Sequence, residues 1–430
     1  MSSPGITADI TAKLRRRLIP LLFLLYVVAY LDRINIGFAA LTMNSALSIN
    51  STQYGLLLGI FFWGYFVFEI PSNILLHKIG ARIWIARILV TWGVVAMLTG
   101  LVTSVSQLYV ARFLLGVAEA GFFPGILLYL TYWFPQRDQA RMIALFATAL
   151  PTSNIIGAPL SGFILDHAHW AGVASWRWLL ILEGLPALAC GLLTWFALPS
   201  RPAEAAFLTQ TEKDWIAAQV AAEDHGKIGG HAASALKIFA NPHVWLLAGV
   251  LFGFDVGLYG MSFYMPQGLK ALSTSYSNTV VGLLVMLPHL AGLVALVLVS
   301  RSSDRRLERR YHSAIPLAIA GIALMAVGTT NSPILAVILW SIASMGLYGF
   351  FGPFFAIPSR FLTGFSAASG IALINSFGNL GGFAGPYVIG AMAGGKRGIY
   401  GGLILAGLTL FVSATLVLLV PKTVGPTRRP

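Results

Sequence analysis

Twelve apolar runs follow one another along this 430-residue chain, most of them about twenty residues or longer. They lie near 18–41, 54–76, 83–103, 107–133, 141–165, 177–198, 243–269, 279–299, 312–330, 333–357, 366–392 and 399–420, numbered here as spans 1 to 12. A helix of about 20 residues is about 30 Å long, the thickness of a bilayer's hydrocarbon core. In lipid every backbone N–H and C=O needs a partner within the protein, so only helices and closed barrels cross. Barrel strands alternate apolar with polar residues, and these runs are continuous. The chain is 57% hydrophobic and 10% charged, against about 25% charged in a soluble protein. The expected fold is an all-α polytopic membrane protein with twelve transmembrane helices in two six-helix bundles.

The division into bundles comes from residues 199–242, where the hydrophobicity stops. This stretch holds Pro199, Pro202, Glu204, Glu212, Lys213, Asp214, Glu223, Asp224 and the pair Gly229-Gly230. It reads as a cytoplasmic linker, with a short amphipathic helix near 211–222, between bundles at 1–198 and 243–430. The bundles also repeat. Gly121-Phe122-Phe123 and Ile143-Ala144-Leu145 recur as Gly349-Phe350-Phe351 and Ile371-Ala372-Leu373, both at an offset of 228. Internal repeats around a central site are the usual build of secondary transporters.

The net charge of +13 would suggest nucleic acid in a soluble protein. Here its placement is topogenic. Lys13, Arg15, Arg16 and Arg17 precede span 1, and Lys78, Arg82, Arg137, Arg141, Arg301, Arg305, Arg306, Arg309 and Arg310 fall after spans 2, 4 and 8. The loops after spans 1, 3 and 9 carry none, and the exceptions are Lys270 and Lys396-Arg397. Positive loops stay inside, so both termini are expected on the cytoplasmic side and no nucleic-acid partner is expected. Span 1 is long enough to remain as a signal anchor. One cysteine, Cys190, permits no intramolecular disulfide and no cysteine metal cluster.

The charges inside the spans carry the functional signal. Each costs about 2.5–3.5 kcal/mol at mid-bilayer on insertion scales. Arg112 and Glu119 lie seven residues apart in span 4, on one helix face and about 10 Å apart along its axis. Asp32 and Arg33 lie in span 1. Shifting Arg112 and Glu119 by the repeat offset lands on Trp340 and Leu347, so the first half holds most of the intramembrane charge. That points to movement of a polar solute, with coupling chemistry in the first half.

These residues resemble the major facilitator superfamily, and within it the anion:cation symporters. The matching stretches are Tyr30-Leu-Asp-Arg-Ile-Asn35, Gly64-Tyr65 with Phe68-Glu-Ile-Pro-Ser-Asn73, Gly80-Ala-Arg-Ile-Trp84, Ala111 to Gly121, and Ser175-Trp-Arg-Trp178 with Glu183-Gly184. The likeness covers nearly the whole chain and is strongest over residues 20–190. It implies the major facilitator fold, a monomer in the inner membrane, and import of organic anions with protons: tartrate-like hydroxy acids, sugar acids or aromatic carboxylates. The loop after span 2 departs from the superfamily pattern, with His77 where an Asp is usual, while the loop after span 8 keeps Asp304-Arg305.

Arg33 is the candidate grip for a substrate carboxylate, since guanidinium pairs with it through two parallel hydrogen bonds. Tyr30 lies one turn earlier on the same face. The alternative is that Arg33 neutralises Asp32, although neighbours on a helix point about 100° apart. Asp32 and Glu119 are the candidate proton carriers; a permanent pair between Glu119 and Arg112 is the alternative. Arg112 holds Glu119 or contacts substrate. Tyr65 is placed at the cavity by the resemblance, with aromatic packing as the competing reading. Glu69 and Glu183 read as structural. Asp255, Tyr259, Phe263 and Gln267 form a stripe along span 7, with Tyr259 the candidate substrate contact. Asn375 and Asn379 sit one turn apart in span 11, and the resemblance favours Asn375 for substrate. Gly121/Gly125, Gly378/Gly382 and Gly381/Gly385 have the spacing of close helix contacts.

No phosphate-binding Gly-rich loop with Lys-Ser or Lys-Thr is present. No cofactor or metal is expected, and no nucleophile–base set suggests an enzyme. The expected function is a secondary transporter importing a small organic anion by proton symport through alternating access. The alternatives are a proton-independent exchanger or facilitator, and a transporter-like membrane sensor.

Overall fold

The computed structural model describes residues 4–224, 240–358, 364–395 and 398–421. Gly229-Gly230 and Lys396-Arg397 lie outside the described residues. The described chain is nearly all helix. Eleven stretches among these residues are long and apolar enough to cross a membrane. Helix Gly364–Met392, the place of span 11, is long enough but stands outside that group. It carries Asn375, Ser376, Asn379 and seven glycines from Gly364 to Gly390 among its apolar residues. Span 1 extends beyond its apolar run, as one helix over Pro4–Ala46. Its first turns carry the basic cluster out of the apolar zone.

Helix ends are fixed by local chemistry. Asn50 caps Ser51–Ile79 (span 2) by accepting from the Gln53 N–H at 2.9 Å, and Gln53 returns a bond to the Asn50 N–H. Two spans are not continuous helices. Span 4 is split into Val105–Glu119 and Phe122–Thr131, with Gly121 at φ 82° between them. Only glycine takes that conformation without a steric penalty. Span 5 is split at Thr148 into Gln136–Ala147 and Ala149–His167.

The helices pair in a pattern that repeats every six spans. Span 1 packs on spans 5 and 6 as span 7 (Pro242–Leu272) packs on spans 11 and 12. Spans 2 and 4, and 3 and 6, pair as spans 8 and 10, and 9 and 12, do. Contacts between the halves run through spans 1 with 7, 2 with 11, and 5 with 8. Spans 1 and 7 are the most enclosed of the eleven. Glycines make the tightest of these approaches. A Cβ on Gly385 would stand 2.6 Å from the Val256 carbonyl, and one on Gly378 2.5 Å from Leu251, so span 11 presents its small face to span 7.

Within the linker a helix forms over Gln210–Asp224. Lys13 of span 1 donates to both Glu212 oxygens, at 2.8 and 2.9 Å. His77 contacts the Tyr132 hydroxyl at 3.0 Å, and Arg82, in the segment after span 2, pairs with Glu204 of the linker at 3.3 Å. After span 8, Arg309 pairs with Asp304 at 2.6 Å.

Candidate substrate and coupling site

The enclosed faces of spans 1, 2, 4 and 7 converge on the Arg33 guanidinium. Its Nη2 forms an ion pair with Glu119, and both side chains are less than a tenth exposed. Its Nη1 donates to the Tyr259 hydroxyl at 3.2 Å. Its central carbon lies 5.2–5.4 Å from the ring centroids of Tyr30, Phe61 and Tyr65. Cation–π contacts reach about 2 kcal/mol each when desolvated, so three rings offset part of the cost of burying the cation. Five residues singled out in the sequence thus meet at one point: Tyr30, Arg33, Tyr65, Glu119 and Tyr259.

Glu119 is the last residue of its helix, directly before the Ala120–Gly121 break. From there its carboxylate reaches Arg33 of span 1. Arg112, two turns back, is fully buried and lies 5.1 Å from the Phe61 ring centroid. Its Nε and Nη2 have no hydrogen-bond partner among the described residues. Two guanidinia therefore share Phe61: Arg33, bonded to Glu119 and Tyr259, leaves its Nε unfilled, while Arg112 leaves both Nε and Nη2 unfilled. Glu119 pairs with Arg33, so a permanent Arg112–Glu119 pair is not what the geometry shows.

Asp32 does not join this group. It accepts from the Trp92 indole N–H at 2.6 Å and from the Asn35 amide at 3.3 Å. The 100° turn between neighbours sends it toward span 3 while Arg33 faces span 7, so Arg33 does not neutralise it. Glu183 is also buried, held by the Ser161 hydroxyl at 2.7 Å, and its second oxygen has no partner. Neither acid has a cation among the described residues. In span 7 Asp255 is buried without an ion pair among those residues, and Phe263 stacks on Tyr259 at 5.8 Å.

Asn375 bridges the halves. Its amide donates to Glu69 Oε1 at 3.1 Å, and the Ser376 hydroxyl donates to Oε2 at 3.0 Å. Glu69 sits one turn beyond Tyr65, so this bridge adjoins the Arg33 group.

Sequence reading passed over Phe61, Trp92 and the Glu69 bridge. Phe61 looks like any packing aromatic, and nothing in the chain marks it as the ring between two cations. Glu69 carried a usable signal, since a buried acid in a span needs a partner.

Residues 22–386 match the model of the Major Facilitator Superfamily. The chain belongs to the Major Facilitator Superfamily. It is 43% identical over 424 residues to a protein of Agrobacterium vitis named "Putative tartrate transporter", covering 97% of this chain and 93% of that one. It is 41% identical over 419 residues to the "Putative metabolite transport protein NicT" of Pseudomonas putida, covering 96% and 95%. The xylose transporter XylE from E. coli shares the fold at TM-score 0.76 and 15% identity, over 96% of this chain and 99% of that one. This major facilitator is therefore a multi-pass membrane transporter and not an enzyme.

Proposed function

We propose that this transporter imports a small organic anion together with a proton. The single observation that carries the reading is the buried pair of Arg33 with Glu119, ringed by tyrosines. An incoming carboxylate matches the guanidinium fork as well as Glu119 does. Only one of the two can fill it. Once displaced, Glu119 is a buried carboxylate without its cation, which is costly, and a proton removes that cost. Substrate and proton binding are then linked, and the loaded site keeps the charge balance of the empty one: guanidinium, substrate carboxylate and neutral Glu119.

Tyr30, Tyr65 and Tyr259 supply hydroxyl donors around that carboxylate, and Arg112 supplies its unfilled donors to a second polar group of the substrate. Asn375 exchanges Glu69 for substrate when the halves move apart. Asp32, set apart beside Trp92, is the second proton carrier. In this reading bundles 1–198 and 243–430 rock about the site, joined by residues 199–242, in a monomer in the inner membrane with both termini cytoplasmic. The substrate is tartrate-like, a sugar acid or an aromatic carboxylate. The names of the relatives support the first of these, and the tyrosine ring suits the third.

Uptake into proteoliposomes, with and without an imposed inward proton gradient, tests the proposal. Tartrate, a sugar acid, phthalate and hydroxyphenylacetate form the panel. Accumulation of one acid only with the gradient supports symport. Downhill flux indifferent to the gradient makes the protein a facilitator or exchanger. Binding without flux makes it a sensor.

A further inference from the structure

A further half-buried arginine lies away from the Arg33 group, in a groove on the outside of spans 2, 3 and 4. Arg87 is the seventh residue of Ala81–Thr99 (span 3), about 9 Å along the axis from the helix start. It opens into a groove of about 320 Å³ between spans 2, 3 and 4, lined by Phe68, Pro71, Leu75, Trp84, Arg87 and Val117. The apolar walls are open to the outside: Phe68 and Leu75 are each 40% exposed.

An arginine within a span normally faces the bundle interior or pairs with an acid. Arg87 does neither. No carboxylate pairs with it among the described residues, and its Nε is buried without a partner. Its guanidinium lies 3.9 Å from the Trp84 ring centroid. Trp84 is itself fixed, because its indole N–H donates to the Ser72 hydroxyl at 3.0 Å. The cation is thus held in place with its donors uncommitted. Helical side chains lean toward the N-terminus, which brings the guanidinium from depth 9 Å toward the headgroup level on the face that bears the chain termini. A tryptophan at that level is typical of the interface.

We propose that this groove is a binding site for an anionic phospholipid. The lipid phosphate accepts in-plane hydrogen bonds from the Arg87 guanidinium, whose one face is covered by Trp84, and an acyl chain lies along Phe68, Leu75 and Val117. Charge complementarity selects this occupant. A zwitterionic lipid brings its own cation to the phosphate, and a neutral chain leaves the Arg87 donors empty. Basic pockets between spans on the cytoplasmic side are a recurrent form of lipid headgroup site. The site has a route to transport: Ser72 also abuts Gly121, where a Cβ would stand 2.7 Å from the Ser72 Cβ, at the break next to Glu119.

The test uses the full chain in nanodiscs of phosphatidylcholine with increasing phosphatidylglycerol, read by thermal unfolding. Wild type should gain about 2–4 °C at saturating phosphatidylglycerol, Arg87→Gln should gain none, and Arg87→Lys should keep part of the gain. An equal gain in wild type and Arg87→Gln overturns the proposal. A gain reproduced by inorganic phosphate in detergent overturns the lipid assignment in favour of a free-anion site. Should Arg87→Gln not fold, native mass spectrometry of wild type and Trp84→Leu decides. Preferential retention of phosphatidylglycerol over phosphatidylcholine, reduced in Trp84→Leu, supports the site, and equal retention of the two lipids overturns it. None of these readouts depends on transport, so they stand apart from the test of the proposed function.

Discussion

Replacing Glu119 by Gln removes one charge and almost no volume, and the effect follows from what faces that side chain. On the proposed function, a substrate carboxylate must take Arg33 from the buried Glu119 with which it is paired. The amide of Gln keeps an acceptor oxygen for the guanidinium, so the variant stays folded and Arg33 stays oriented. A charge-assisted hydrogen bond is about twice as strong as a neutral one, and hydrogen bonds to charged groups contribute about 1.5–3 kcal/mol. The competitor is then weaker by about 1.5–3 kcal/mol, which is about 10–100-fold in substrate affinity. Binding by isothermal calorimetry at pH 8 should show that tightening. With one proton taken up per substrate, the wild-type Kd should weaken as pH rises, by up to about tenfold per pH unit where Glu119 is ionised in the empty site and protonated in the loaded one, and Glu119→Gln should flatten that slope. Uphill accumulation should disappear while substrate counterflow persists. Unchanged affinity with an unchanged pH slope would refute the competition between substrate and Glu119.

Other consequences follow from single contacts. Arg33→Ala should lower uptake at least about 100-fold, the loss of a bidentate charge pair of about 3 kcal/mol, with membrane insertion unchanged by protease protection. The Asp166 carboxylate accepts from the Asn278 N–H and amide at 3.1 and 2.8 Å, and from the Thr279 N–H and hydroxyl at 2.7 Å each, tying span 5 to span 8 across the halves. Asp166→Asn should weaken that closure by about 2–3 kcal/mol and speed maleimide labelling of Ala158→Cys, in a Cys190→Ala background, by about 30-fold or more. Gly385→Leu places a side chain against the Val256 backbone and should lower the unfolding temperature by overpacking of about 1–3 kcal/mol. In the linker, the Lys13 ammonium holds Glu212 below the usual carboxylate range. Its folded-state value is depressed, so the tether contributes above the ordinary value near 4.3 and is lost as pH falls below it. The contribution of such an exposed pair is under about 1 kcal/mol, and proteolysis within the linker should quicken only below about pH 4.

Span number and order were legible because bilayer thickness fixes a length that apolar runs must meet. The close contacts of span 11 were legible too, since Gly378, Gly381 and Gly385 recur on one face. Pairing within the site was not. Glu119 is seven residues from Arg112 and 86 from Arg33, yet it pairs with Arg33. The partner comes from another helix, and spacing along span 4 does not point to it. Asp32 and Arg33 show the reverse: the helix angle between neighbours already weighed against a pair, and the two side chains do separate, onto Trp92 and Tyr259. Asn375 was singled out for substrate, but its partner Glu69 lies 306 positions away, and no local pattern links the two. The split of span 5 at Thr148 follows from Pro151, which has no N–H for the Ala147 carbonyl and whose ring crowds it, so the helix ending at Ala147 does not run on continuously.

The most direct test of the central claim is proton movement driven by substrate alone. Proteoliposomes holding a pH dye, with no proton gradient at the start, would receive each acid of the panel outside. For the transported acid, the account predicts luminal acidification in step with substrate entry, absent in Glu119→Gln even though that variant still performs counterflow. Substrate entry with no change in luminal pH would contradict it.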